Sequence, residues 1–390
     1  MTPKERLLAA FRRQPTDHVP CNLYGIRWIR QHDRCTCPRH QLAWAERFGL
    51  DLVIPYGWYT WQSVTNDYIY VPGGGQAFSA DGCYGDLPDV AVNLRARQER
   101  EGVRYERTFE TPAGVLHDVI LWPRPGTGYG DGPNPHRIEP LIKTPADAEA
   151  LQFLYPAPRE DVLADIAPTL QAMGERALLA ASDAVGPGSW GMESLGPELM
   201  LTASVDNPGL LRAVCRTAHD AHRRNLAAML ERGLPAVYDS WFQCGPSVGW
   251  SPATYETIFL PLVRECVELA HQHGAIYIYQ DDGRMRALLP QIVAAGADVI
   301  AGLQPPPVGD VNLKEARATY GSSVAFMGGL DPCYTFDRGT PAVVQTAVCE
   351  TLEAAGPAPG FVLCTAEAVD PATPVECLNV YVTAARRYGR

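Results

Sequence analysis

The sequence predicts an α/β fold, a single (β/α)8 TIM barrel over residues 1–390, and three observations carry that prediction. Eight short apolar segments of strand character recur along the chain, at 19–23, 51–56, 177–182, 236–240, 275–279, 298–302, 324–328 and 361–365. They are apolar throughout, as strands of a parallel sheet covered on both faces are. Nearly all are followed by a helical pattern, and eight such units suit a closed barrel better than an open doubly wound sheet.

The elements justify themselves in order. The first two strands are followed by a section, residues 60–158, that breaks the alternation: it is rich in Gly, Pro and aromatic residues, with a Gly73-Gly74-Gly75 turn and alternating pieces at 103–109 and 114–121. It reads as an insertion between strands 2 and 3, partly antiparallel hairpin, lying across one mouth of the barrel. No polar linker brackets it, so it is expected to belong to the one domain. Beyond it, Asn207-Pro208 and Ser251-Pro252 open long helices that stop at Gly233 and at His273-Gly274, and Thr340-Pro341 and Thr373-Pro374 repeat the cap-then-proline start. A new strand follows each of the first two stops.

Composition narrows the function. A net charge of -11 and a pI near 5.3 set the chain against nucleic acid and anionic membrane surfaces, which would repel it on average. The amino terminus lacks a signal-type apolar region and no apolar run reaches the roughly 18 residues of a membrane span, so a cytoplasmic protein is expected. Eleven cysteines without an export signal read as reduced thiols, most of them small core residues. His32, Cys35, Cys37 and His40 do not form a zinc knuckle, because the spacing is Cys-x-Cys and no second pair follows. Gly73 to Gly75 lacks the Lys-Ser/Thr of a phosphate loop.

In a parallel α/β protein the chemistry collects just beyond the carboxyl ends of the strands. Those positions read Tyr24, Trp58, Asp183, Asp239 with Trp241, Gln280 with Asp282, Gln304, Asp331 and Glu367. The apolar run that ends in Gln280-Asp281-Asp282-Gly283 is the most pointed of them. Converging carboxylates repel, so such a ring calls for a metal ion, a cationic ligand, a buried Arg or Lys, or protonation of one member. Plain structural roles compete: Asp331 could cap the turn at Pro332 and Asp183 could bond the Gly186-Pro187-Gly188 loop.

With these residues in view, the chain resembles the uroporphyrinogen decarboxylase superfamily, which includes corrinoid-linked methyltransferases and demethylases. The likeness starts at Pro3-Lys4-Glu5-Arg6-Leu7-Leu8 and Asp17-His18-Val19-Pro20 and continues in Thr111-Pro112-Ala113-Gly114. It is strongest from Ser251-Pro252 through Gln280-Asp281-Asp282-Gly283 and Gly328-Gly329-Leu330-Asp331-Pro332 to Asp370-Pro371-Ala372-Thr373-Pro374. The resemblance implies a single barrel. It also exposes departures: where thiol-directed methyltransferases of the superfamily hold zinc with His-x-Cys and a later Cys, this chain has Gln280, Asp282 and Glu367, and the decarboxylases' Arg-Gln-Ala-Gly-Arg signature is replaced by Arg27-Trp28-Ile29-Arg30.

The resemblance implies an enzyme that removes or transfers a methyl group from a small substrate, with a separate corrinoid protein as acceptor. In that expectation Asp282 and Glu367, with Gln280, bind one divalent cation, zinc or a harder ion, or protonate the leaving heteroatom. Asp239 and Asp183 position the substrate, and Tyr24, Trp58, Trp241 and Gln304 line its pocket. The alternative is a decarboxylase, a carboxy-lyase, with Arg27 or Arg30 holding a substrate carboxylate; a non-catalytic ligand-binding barrel is the third reading. The expected partners are the small substrate, the corrinoid protein and a second copy of the chain, with no nucleic acid or membrane.

Overall fold

Proline-led caps start the helices much as the sequence specifies. In the computed structural model, which describes residues 1–24, 28–29, 37–57, 89–124, 126, 136–155, 160–182, 187–370 and 372–390, Thr2 and Glu5 form a capping box ahead of the helix Pro3–Phe11. Ser251 accepts from the Thr254 N–H at the start of Pro252–Ile258, and Thr340 from the Val343 N–H at the start of Pro341–Ala355. Thr373 departs from this pattern. Its hydroxyl donates to Asp337 (2.7 Å), and the helix Val375–Tyr388 begins after Pro374 without a side-chain cap.

The chain divides into two compact units, one made of Met1–Thr60, Leu163–Ala184 and Leu226–Arg390, the other of Trp61–Val162 and Val185–Asn225. The first contains a seven-stranded parallel sheet whose strands neighbour one another in chain order: β1 (Leu52–Tyr56), β6 (Ala177–Ala181), β7 (Ala236–Ser240), β8 (Ile276–Gln280), β9 (Val299–Leu303), β10 (Ala325–Leu330) and β11 (Phe361–Thr365). Seven of the eight expected strands are therefore present as strands.

The expected first strand, 19–23, is reduced to an isolated parallel bridge between Cys21 and Leu363. Toward β11 it exchanges main-chain bonds, with Leu363 N–H donating to Pro20 O and Asn22 N–H to Leu363 O, both 2.9 Å. Toward β1 a side chain takes over: Asn22 Oδ1 accepts the Val53 N–H at 3.0 Å, beside one main-chain bond from Asp51 N–H to Cys21 O. A side chain standing in for the ladder is why this segment lacks strand pairing on that side. Arg6 holds the same corner from below, with its buried guanidinium bonded to Asp17 at 2.6 Å and to Asp51.

The sheet reads its two faces with period two. Leu178 and Ala180, Ala236 and Tyr238, Ile276 and Ile278, Val299 and Ala301, Ala325 and Met327, and Val362 and Cys364 join one apolar core with Tyr24, Leu7 and Phe11. Each large apolar side chain buried there contributes about 1.5–3 kcal/mol of transfer free energy. The intervening residues, Val237, Asp239, Tyr277 and Tyr279 among them, belong to the opposite face and are equally buried.

The second unit contains a four-stranded antiparallel sheet, β2 (Ala91–Gln98), β3 (Gly102–Thr111), β4 (Gly114–Pro123) and β5 (His136–Glu139), ordered as in the chain. The alternating pieces at 103–109 and 114–121 are the paired strands β3 and β4, joined through the tight turn at Thr111–Gly114. Two arginines, Arg107 and Arg137, share the fully buried Asp118, with Arg107 Nη2 at 2.5 Å. Burial pushes the Asp118 carboxyl up, but the hydrogen bond and charge of Arg107, aided by Arg137, outweigh it and hold the group ionised. Nearly all of the expected insertion 60–158 falls in this unit, which also takes in 185–225. No helix of the described residues is long and apolar enough to cross a membrane.

Candidate active site

Because alternate residues of each strand share a face, the inner core can be followed outward to the carboxyl ends of the strands. Above Tyr238 and Ile278 the next residues of the same parity are Ser240 and Gln280, and above Ala180 it is Ser182. All three are buried, Gln280 and Ser182 completely. The Ser240 hydroxyl donates to Gln280 Oε1 at 2.9 Å, which fixes the amide and leaves Nε2 as its unused end. Among the described residues neither Gln280 Nε2 nor Ser182 Oγ has a hydrogen-bond partner. A buried donor left unpaired costs about 1–3 kcal/mol, which is the signature of a group kept for a ligand. Tyr24 and Tyr238 stack beside this layer, ring centroids 6.4 Å apart.

The loop that follows β8 is pinned on both sides. Asp281 Oδ1 accepts the Asp282 N–H (2.9 Å), Gly283 N–H donates to Gln304 Oε1 (2.9 Å), and Arg284 N–H donates to Ser247 Oγ (2.7 Å). Two glycines make this path sterically open. A Cβ on Gly302 would lie 1.7 Å from the Asp281 carbonyl oxygen, and one on Gly283 would lie 2.3 Å from Ser247 Oγ; both have positive φ, +82° and +67°.

Two carboxyls on this loop are shifted upward. Burial is the main cause for Asp281, with the neighbouring Asp282 and Glu367 charges adding to it against the bonds from the Asp282 N–H and Tyr279. Burial also raises Asp282, which is half-buried and has no cation beside it among the described residues. Glu367 is half-buried beyond β11, where its Oε1 accepts the Ala368 N–H at 2.6 Å. Cys364, the cysteine of the inner core layer, is a poor thiolate because burial pushes its thiol up to about 12.

Several expected site residues are brought elsewhere. Asp239 is buried on the sheet face opposite Tyr238, away from Ser240 and Gln280, where Tyr277 Oη donates to its Oδ2 at 2.5 Å. Trp241 is fully buried on the same side: its Nε1 donates to Tyr277 Oη at 2.8 Å and its ring lies parallel to that of Tyr279, so it does not wall a substrate pocket. Gln304 spends both ends of its amide within the protein, accepting from Gly283 N–H and donating to Asp331 Oδ1 at 3.0 Å. Asp331 caps the turn after β10 by accepting the Tyr334 N–H. The remaining expected residues, Asp183, Arg27, Arg30 and Trp58, lie outside the described residues.

The strand-end reading passed over Ser182, Ser240 and Tyr238, which share the inner face by parity, and Asp281, whose carboxyl lies against Gly245 and Tyr279. The signal was present: counting by two from the inner apolar residues reaches both serines and the tyrosine, whereas the strand-end rule takes whichever polar residue comes first. For the metal set, Gln280 Oε1 is engaged by Ser240 and Glu367 Oε1 by the Ala368 N–H, so a cation there would draw on the carboxyls of Asp282 and Glu367.

Comparison with known proteins gives a consistent picture. A family model described as Uroporphyrinogen decarboxylase (URO-D) matches residues 126–388. A uroporphyrinogen decarboxylase of Gloeobacter violaceus is 27% identical over 305 residues, covering 74% of this chain and 80% of the relative. One from Aromatoleum aromaticum is 30% identical over 196 residues, 48% of this chain and 51% of the relative. Among solved structures, a methyltransferase from Methanosarcina mazei superposes over 100% of this chain and 99% of its own, with a TM-score of 0.67 at 16% identity, a likeness of fold.

Proposed function

The chain belongs to the uroporphyrinogen decarboxylase family, and from that premise we propose that it is an enzyme that removes a methyl group from a small substrate, with a corrinoid protein as methyl acceptor. The observation that carries this reading is the presence of an unused buried amide donor, Gln280 Nε2, and of a carboxyl that burial raises, Asp282, at the end of one strand. Gln280 and Ser182 hold the heteroatom-bearing end of the substrate by donating hydrogen bonds. Asp282, whose carboxyl burial raises above its ordinary value, gives its proton to the heteroatom as the carbon–heteroatom bond breaks and the methyl group passes to the acceptor. The heteroatom leaves as a neutral alcohol, amine or thiol, and solvent reprotonates Asp282. Burial, then the neighbouring Asp282 and Glu367 charges, favour the protonated form of Asp281. The same reading takes the parallel sheet with its Cys21 bridge as an eight-stave barrel.

The family name of the curated relatives favours a second reading, decarboxylation of a small carboxylic acid, in which Gln280 and Ser182 bind the carboxylate and Asp282 protonates the carbon after carbon dioxide departs. One assay separates the two. The protein is incubated with reduced cobalamin and a panel of O-, N- and S-methyl compounds, and separately with carboxylic acids, reading methylcobalamin absorbance and released carbon dioxide. Methyl transfer that falls about 100-fold or more in Asp282→Asn supports the proposal. Carbon dioxide release without methyl transfer replaces it with the decarboxylase, and neither product, with no ligand affected by Asp282→Asn or Gln280→Leu, leaves the non-catalytic barrel.

A further inference from the structure

At the amino-terminal end of the same parallel sheet, a cavity of about 680 Å³ is lined by Arg12, Arg13, Lys314, Arg317 and one carboxylate, Glu353. We propose that this cavity binds a phosphorylated small molecule, at a site separate from the one at the carboxyl ends of the strands. The five residues of β11 span about 17 Å, and the cavity sits at their start, where Gly360 precedes Phe361.

Four cations converge there in a chain whose net charge is -11. Arg317 is buried with no carboxylate partner; it donates instead to the carbonyl oxygens of Ala355, Pro359 and Gly360 (3.0, 3.3 and 2.9 Å) and to Ala358. Those bonds account for Arg317 as a clamp on the end of the helix Pro341–Ala355, yet leave its positive charge balanced only by dipoles. Arg12 and Lys314 are exposed and Arg13 is half-buried, and their side chains donate to no group among the described residues, so their donors remain open to a ligand that enters from solvent.

Gly360 brings two of the cations together. A Cβ there would lie 2.9 Å from Arg13 Cγ and 3.4 Å from Arg317 Nη1, so the absence of a side chain lets both arginines pack over the same backbone. Arg13 takes the left-handed position, φ 55°, at which the helix Pro3–Phe11 ends, its N–H donating to Ala10 O and the Gln14 N–H to Ala9 O. Arg317, whose donors are spent on carbonyl oxygens, supplies only its charge; the guanidinium forks of Arg12 and Arg13 match phosphate oxygens two at a time, which favours phosphate over a single carboxylate. The volume exceeds what orthophosphate alone fills and suits a sugar phosphate or nucleotide.

The test is calorimetric titration of the full-length protein with tripolyphosphate at low salt, with citrate as a second probe. The variants are Lys314→Ala combined with Arg13→Asn, since asparagine tolerates the left-handed backbone, and Glu353→Gln. The proposal expects one tripolyphosphate per chain, an affinity at least tenfold lower in the double variant, higher in Glu353→Gln, and lower as salt rises. Thermal unfolding of the double variant is expected to match the wild type. Equal affinity in the wild type and the double variant, or no binding to the wild type, overturns the site. Citrate binding as tightly as tripolyphosphate overturns the assignment to phosphate.

Discussion

Tyr277 decides what Asp239 can do. The phenol hydroxyl donates to the carboxylate at 2.5 Å and Trp241 donates to the same hydroxyl, so the three side chains are linked on the sheet face away from Tyr238. Removing the carboxylate strands a buried donor, so Asp239→Ala is expected to cost about 3 kcal/mol in chemical denaturation, while the KM of the protein that remains folded stays within about twofold; a KM raised tenfold or more would return Asp239 to the substrate. Asp281 and Asp282 titrate in the other direction. Their folded pKa values lie above the unfolded ones, so their contribution to stability is complete below the ordinary carboxylate value and is lost as pH rises through the folded pKa. The contribution of these two groups should therefore decline as pH rises above the ordinary carboxylate value, and Asp281→Asn should flatten that part of the stability profile; an unchanged slope in the variant would refute the assignment. The strand-end residues were legible as a set, because carboxylates after apolar runs stand out. Which of them face inward was not, because Asp239 and Ser240 are adjacent and only the register of the sheet tells which one joins the inner face.

Each strand of the parallel sheet was legible from its unbroken apolar run, and β11 falls at the residues expected for it. The segment at 19–23 shows the limit of that signal: its pattern is as apolar as the others, but Asn22 uses its side chain where a ladder bond would otherwise run to Val53. The loop after β8 depends on tertiary approach that no local pattern encodes, since Gly302 is set by the Asp281 carbonyl against it. Gly302→Ala should destabilise the protein by roughly 3 kcal/mol or more, because it adds both a clash and positive-φ strain, and should lower activity by displacing Asp282. A variant as stable and active as the wild type would show that the loop does not rely on this contact. Ser247→Ala removes the hydroxyl that accepts from Arg284 N–H and donates to Asp282 O, and should cost about 1 kcal/mol with kcat reduced more than KM is raised; an effect on KM alone would assign Ser247 to substrate binding.

For the molecule as a whole, the acidic balance, the parallel sheet and the family agree on an enzyme whose polar groups cluster where the strands end, yet the family does not choose the reaction. That choice rests on the end of β8, where Gln280 supplies a neutral donor and Asp282 an acid in positions where thiolate-dependent relatives are expected to carry metal ligands. The most direct measurement is a carbon-13 nuclear magnetic resonance titration of the aspartate carboxyl groups, with Asp282 assigned by the signal that disappears in Asp282→Asn. The account predicts that Asp282 titrates distinctly above the ordinary aspartate value, as burial without a cationic partner requires. A midpoint at or below that value would mean that a charge neutralises the carboxylate in the folded protein, and the proton-donating role proposed for it would have to be abandoned.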